Sequence, residues 1–280
     1  MLYAQTPAHE KRRLFRERLA TGELLRFPGA FNPLSARLIE QQGFEGVYVS
    51  GAVLSADLGL PDIGLTTLSE VAGRGQQIAR MTELPAIIDA DTGFGEPMNV
   101  ARTIQTLEDA GLAGAHIEDQ VNPKRCGHLD GKAVVDEGTA LQRIRAVDGL
   151  DAATDRARKL VDAGADAIFP EAMRSLDEFA AVRAAVDVPI LANMTEFGKS
   201  DLFSVDQLRD VGVNIVIWPV SLLRIAMGAA ARALDTLNAE GHLTSRLGEM
   251  QHRADLYDLI DYEAYNHFDT NVFNFEITKE

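Results

Sequence analysis

The sequence predicts an α/β fold, a (β/α)8 barrel of the TIM type with helices added at its C-terminal end. Short apolar runs alternate with helical patterns along the chain, the order that gives parallel strands with right-handed crossovers. Polar residues stand at the C-terminal end of nearly every run: Asn32, Ser50, Asp89, Asp91, Glu118, Asp119, Glu171 and Asn193. A barrel places its active site there. A doubly wound sheet also binds ligands at strand ends, but chiefly at its switch point, so it explains less of the pattern.

The strand candidates are residues 24–32, 46–51, 85–95, 114–120, 166–173, 189–198 and 214–220. Continuous apolar runs of this kind suit strands buried on both faces. Helices are predicted between them, over 97–110 ending at Gly111 and over 151–163 ending at Gly164. Ser175 with Glu178, and Ser204 with Gln207, have capping-box spacing and mark helix starts. Gly43, Gly212 and Gly241 fit the position just past a helix end, where a positive φ costs glycine little. No Pro/Ser-rich linker divides the 280 residues, so one barrel domain is expected over 1–280, with 221–280 as a helical extension.

Composition narrows the partners. Asp and Glu number 42 against 27 Lys and Arg, a formal charge of −15. Such a chain lacks the clustered cations that nucleic acid or an anionic membrane demands, while still allowing a local cationic pocket for a small anion. A lone cysteine makes no internal disulfide, which points to a reducing compartment. The N-terminal stretch carries charge of both signs throughout and has no signal-peptide core. No apolar run is long enough to cross a bilayer. A cytoplasmic enzyme acting on a small molecule is expected.

Two stretches carry chemistry. In IIDADTGFG, Asp89 and Asp91 are two apart at the end of an apolar run, so both carboxylates face one side of a strand. Two carboxylates side by side repel, and a hard dication relieves them. Mg²⁺ takes one or two carboxylates and fills its octahedron with water and substrate oxygens. One Asp capping a helix while the other meets an Arg would also satisfy the pattern; Glu118 and Asp119 at the next strand end favour the metal. In NPKRCGHLDGK, the single cysteine, Cys126, lies among Lys124, Arg125 and His128. Positive neighbours lower a thiol pKa and favour reactivity. A Cys126–His128 metal pair is weaker, because no second pair stands at zinc spacing.

These stretches resemble the isocitrate lyase and phosphoenolpyruvate mutase superfamily. KRCGH follows a strand ending HIEDQ, and DADTGFG ends the strand before it. The resemblance extends through YVSGA at 48–52, LGLPDIG at 58–64, FPEA at 169–172, NMTEFG at 193–198, WPVSLLR at 218–224 and QHRADLYD at 251–258. The cysteine loop is specific to the lyase branch. NMTEFG is similar to the branch that cleaves 2-methylisocitrate to pyruvate and succinate in the methylcitrate cycle of propionate catabolism. Lyases or decarboxylases of isocitrate, dimethylmalate or oxaloacetate are the near alternatives.

The resemblance implies the following roles. Asp89 and Asp91 hold Mg²⁺. Cys126 is the general acid that protonates the carbanion, and Tyr48 is a candidate base whose plain reading is a core aromatic. Ser50, Gly51 and Ala52 line the pyruvate part, with Ala52 where relatives often carry Gly. Gly127 offers its backbone N–H. Glu171, Asn193, Met194 and Thr195 contact the succinyl part. Arg224 and Arg253 pair with carboxylates of the tricarboxylate substrate. Gly127 and Gly131 let the cysteine loop hinge as a lid. A homotetramer is implied, with exchanged C-terminal helices. On sequence alone, the run SLLRIAMGAAARALDTL is apolar almost all round, more than a lone surface helix needs.

One feature departs from the resemblance. The family's fifth strand ends in an Arg-Thr-acid segment, whereas here RIR at 143–145 runs into AVDGLDAATDRA. Between the 114–120 and 166–173 runs lie two helical patterns, near 136–145 and 151–163, and no further strand. The fifth strand and its Arg are therefore expected to be missing. Two bare sheet edges would follow unless the barrel closes some other way, and a weakly active or unstable protein, or a catalytically impaired remnant, is the expected consequence.

Overall fold

The computed structural model describes residues 4–125, 133–135 and 150–273. Six strands form: β1 (Leu25–Pro28), β2 (Val47–Val49), β3 (Ala86–Asp89), β4 (Gly114–His116), β5 (Leu191–Asn193) and β6 (Ile215–Trp218). All pair in parallel, in two sheets of order β1-β6-β5 and β2-β3-β4. A bridge from Gly29 to Tyr48 joins the sheets, and one from Ile168 to Ile190 adds a further chain segment beyond β5. The order around the array is β4, β3, β2, β1, β6, β5, Ile168. Strands lie beside their neighbours in sequence and the last returns to the first, which is barrel order. The run 166–173 shrinks to that single bridge, held by Ile168 N–H on Pro189 O and Leu191 N–H on Ile168 O, each 2.9 Å. Residues 136–149, where the fifth strand is expected to be missing, lie outside the described residues, as do Cys126 and Gly127.

The helices are α1 (Ala8–Ala20), α2 (Pro33–Gln41), α3 (Gly51–Asp57), α4 (Leu68–Ala79), α5 (Pro97–Asp109), α6 (Leu150–Asp162), α7 (Leu176–Ala185), α8 (Val205–Asp210), α9 (Ser221–Glu240), α10 (Arg253–Leu259) and α11 (Tyr262–Phe273). Their starts follow the side chains. Ser204 and Gln207 cap α8 reciprocally. At α7 the box is half formed: Ser175 accepts Glu178 N–H, but the Glu178 carboxylate turns to Arg174 N–H.

Strand alternation divides the core. Leu25, Phe27, Tyr48, Ile87, Leu191, Ile215 and Ile217 meet inside the strands, and Phe15 of α1 joins them. Phe15 and Phe27 rings lie 5.3 Å apart. Val47, Val49 and Ile88 pack outward with residues of α2, α3, α4 and α5. Ala192, Met194 and Val216 pack outward with residues of α6, α7 and α8. The inward residues one step further along, Asp89 after Ile87 and Asn193 after Leu191, therefore aim polar groups into the mouth.

The C-terminal run 221–260 is helical in three pieces, broken at Gly241 as its sequence position suggests. α9 ends at Gly241 in the left-handed region (φ 71°), a 3₁₀ turn follows over Thr244–Glu249, and α10 returns against α2, where Arg37 Nε donates to Leu259 O at 2.6 Å. Ile225, Met227 and Leu234 of α9 remain exposed. Among the described residues no helix is long and apolar enough to cross a membrane.

Phe27 is fully buried, and its ring also fills the space beside Gly46, where an added Cβ would stand 2.1 Å from it. Phe27→Ala is expected to lower the unfolding free energy by about 3–5 kcal/mol. Urea titration with an unchanged m-value checks it.

Candidate active site

The mouth is built from the segments that follow the strands. Ser50 ends β2 and caps α3, its hydroxyl accepting Val53 N–H. Gly51 N–H, in the first turn of α3, donates to Asp89 Oδ2 at 3.3 Å, and half-buried Ala52 follows. Asp89 ends β3 and accepts Asp91 N–H on Oδ1 at 3.0 Å. Asp91, Ala172 and Phe197 have φ of 47°, 62° and 61°. Non-glycine residues seldom take such angles, and they persist where surrounding structure compels them, often at functional sites. Each follows a different strand segment at its C-terminal end.

A buried ammonium organises the acids. Lys124 is 1% exposed. Its Nζ pairs with Asp91 Oδ1, lies 2.9 Å from Asp62 Oδ1, and stands 3.5 Å from Glu118 Oε1. Thr66 Oγ1 donates to Asp91 Oδ2 at 3.2 Å. On the other side of Asp89, His116 Nε2 stands 3.7 Å from Asp89 Oδ1 and 2.7 Å from the Tyr48 hydroxyl.

Burial opposes every charge here, and partners decide the outcome. It lowers Lys124, but Asp89, Glu118, Asp91 and Asp62 together raise it far above the ordinary lysine range. It raises Asp89, but His116, Lys124 and two backbone N–H groups hold that carboxyl low. Asp91 goes the other way: burial and the neighbouring Asp89 raise it despite the ammonium. Burial and Asp89 push Glu118 up to about 9. Burial lowers His116 and raises the Tyr48 phenol well above 10. The Tyr48 hydroxyl, expected as a base, is in contact with the His116 ring.

Asp89 and Asp91 do converge. A Cβ built on Gly51 would lie 2.8 Å from Asp89 Oδ2 and 3.4 Å from Asp91 Oδ1, so both acids approach the glycine too closely for a methyl group to fit between. Among the described residues no three His, Cys, Asp or Glu side chains form a cage that could hold a metal alone. Two hard carboxylate oxygens brought together beside a side-chain-free residue fit Mg²⁺, which keeps several waters. Such an ion would share Asp91 with Lys124.

The rest of the expected set divides. Buried Asn193 and Thr195 sit at the end of β5, and Glu171 is close enough for its charge to raise both Tyr48 and Glu118. Arg224 of α9 reaches over: Nη1 donates to Thr195 Oγ1 (3.0 Å), Glu196 O (2.7 Å) and Glu196 Oε2 (3.0 Å). Met194 is corrected. Its side chain points away from the mouth into the outer core, where its sulfur accepts Phe203 N–H, because 193 and 194 face opposite sides of a strand. Arg253 is not brought to this group; it is exposed at the start of α10.

Sequence reasoning missed Lys124, His116, Asp62 and Gln120 as members of the site. The excess of acids at the strand ends was the usable signal, since it requires a cation nearby. Gln120 Nε2 donates to Arg125 O (2.7 Å) and Glu118 Oε2 (2.9 Å), while its Oε1 accepts Arg125 N–H (3.0 Å). Residues 119–121 also pair with 133–135, through Val121 N–H on Ala133 O and Val135 N–H on Asp119 O. The described residues on either side of 126–132 are thus held in place.

Parallel strands in barrel order with clustered acids at their C-terminal mouth define a (β/α)8-type enzyme, and the family model for phosphoenolpyruvate phosphomutase matches residues 15–149 and 140–238. The chain belongs to that family. Its sequence is 55% identical to a Corynebacterium glutamicum protein named probable 2-methylisocitrate lyase 2, over 95% of this chain and 93% of that one. That match spans 286 positions, whereas 95% of 280 residues is about 266, so about 20 positions of the relative face no residue here. Among solved structures, an oxaloacetate acetylhydrolase in complex with 3,3-difluorooxalacetate is similar with TM-score 0.87 and 30% identity, covering 98% of this chain and 100% of that one. A phosphonopyruvate hydrolase complex with oxalate and Mg²⁺ is similar with TM-score 0.83 and 25% identity, covering 94% and 99%.

Folded protein keeps a proton on Glu118 up to about pH 9, while the unfolded chain loses it near its ordinary 4.5. Folded protein therefore binds more protons across that window, and stability falls as pH rises through it, by at most about 1.4 kcal/mol per pH unit. Glu118→Gln is expected to flatten that fall. Urea midpoints of metal-free protein from pH 5 to 9 check it, and parallel curves for the two proteins would contradict the assignment.

Proposed function

We propose that the chain is a Mg²⁺-dependent carbon–carbon lyase that cleaves 2-methylisocitrate to pyruvate and succinate, a step of propionate catabolism in the cytoplasm. The observation that carries this reading is 55% identity to a 2-methylisocitrate lyase across nearly the whole chain, together with converging Asp89 and Asp91 at the mouth.

Cleavage removes the substrate hydroxyl proton, breaks the adjacent C–C bond and leaves a carbanion beside a succinyl carboxylate. Tyr48 with His116 takes the hydroxyl proton, since His116 is held neutral and can accept through their 2.7 Å contact. Asp89 and Asp91 would hold Mg²⁺, which when bound supplies positive charge to the nascent pyruvate oxygens. Ser50, Gly51 and Ala52 line that end. Lys124 balances the charges of Asp62 and Asp91, with protonated Glu118 beside it. Asn193, Thr195, Glu171 and Arg224 receive the succinyl part; Arg suits a carboxylate because its donors form a fork. Gly127 is assigned the role of offering its backbone N–H to the substrate. Cys126 then gives its proton to the carbanion, so one proton leaves and one returns. Arg253 joins a site only from another copy, in a tetramer assembled through the apolar side chains that α9 exposes.

Pyruvate release from 2-methylisocitrate with Mg²⁺ tests the reading, with the Cys126→Ser protein beside it. Turnover by the parent and a loss of at least 100-fold in the variant, the scale of a removed general acid, are expected. A folded parent that releases no pyruvate would overturn the reading and turn attention to the roughly twenty unmatched positions. Assembly is checked by light scattering: a mass near four chains of 30.5 kDa is expected, and a single-chain mass would exclude the tetramer.

A further inference from the structure

Phe197 is expensive to keep where it is. Its side chain is 95% exposed, and its φ of 61° places a bulky residue in the left-handed region. Such an angle is strained for anything but glycine, asparagine or aspartate. Its one described ring contact is with Arg224, whose guanidinium carbon lies 5.5 Å from the ring centroid.

The guanidinium is constrained on two sides. Among the described residues its hydrogen bonds leave from Nη1, to Thr195 Oγ1 and to the backbone and carboxylate of Glu196. Glu196 is itself fixed, because Ser221 Oγ donates to its other carboxylate oxygen. The aromatic ring covers one face. Among the described residues Nε and Nη2 have no partner, and these two donors form the straight edge that matches a planar carboxylate.

We propose that Phe197 is a positioning residue for a substrate carboxylate: its ring holds the Arg224 plane so that the Nε–Nη2 edge stays presented at the mouth. The inference rests on the reading of Arg224 as a carboxylate anchor. It accounts for the strain, since a residue that could relax would let the ring leave the guanidinium.

Succinate is the probe, and calorimetric binding needs no turnover. Replacing the ring by Phe197→Gly, which fits the backbone angle, is expected to weaken succinate about 2- to 30-fold, the span of a cation–π contact from exposed to desolvated. It should raise KM for 2-methylisocitrate by a similar factor, leave kcat unchanged and leave Tm unchanged or higher. Phe197→Asn tolerates the same angle without a ring and should behave like glycine. Phe197→Trp keeps a ring and should bind like the parent. If glycine and asparagine bind succinate as the parent does, or asparagine alone restores binding, the ring has no positioning role and the inference falls. Arg224→Lys separates the two levels. If it binds succinate as tightly as the parent, the anchor reading and the inference fail together. If it loses binding while the Phe197 variants keep it, only the inference fails. Pyruvate release by the parent judges the reaction independently of all four.

Discussion

The mouth of this barrel depends on one buried ammonium. Asp62 and Asp91 converge with protonated Glu118 from three separate segments, and without Lys124 the two aspartates would repel in a place that water scarcely reaches. Ion pairs of this sort add little net stability against an apolar alternative, but losing one partner is costly. The cluster is better understood as fixing geometry. It ties the segment leading to Cys126 onto the ends of β3 and β4, while Gln120 holds Arg125 by its backbone.

The fold was legible because its driving pattern is simple. Runs such as PAIIDAD and NIVIWPV are too apolar and too short for anything but buried strands, and polar residues at their ends announced the barrel. Helix limits followed capping chemistry that is local in sequence, as at Ser204 with Gln207. The end of α9 was legible in the same way, since Gly241 takes the left-handed conformation just past the helix that its sequence position suggested. The 166–173 run shows a failure: its pattern is strand-like, but only Ile168 bridges a neighbour.

The site was half legible. Asp89 and Asp91 could be placed together because a two-residue spacing has one geometric meaning in a strand. Met194 was placed wrongly by the same rule neglected, since a resemblance names a stretch while alternation selects its faces. Lys124 was noticed only as a neighbour of the thiol. Nothing local says that a lysine between proline and arginine is buried; that follows from three acids six or more residues away in sequence. The Tyr48–His116 contact likewise joins residues 68 apart.

Gly51 carries a consequence of another kind. It is the first residue of α3, where almost any side chain would serve the helix, and its φ demands nothing special. What forbids a larger residue is distance: a single added carbon would stand 2.8 Å from the Asp89 carboxylate. The capacity of this mouth for a small cation is therefore gauged by one missing methyl group. Evolutionary drift at that position would close the site without touching any charge in it.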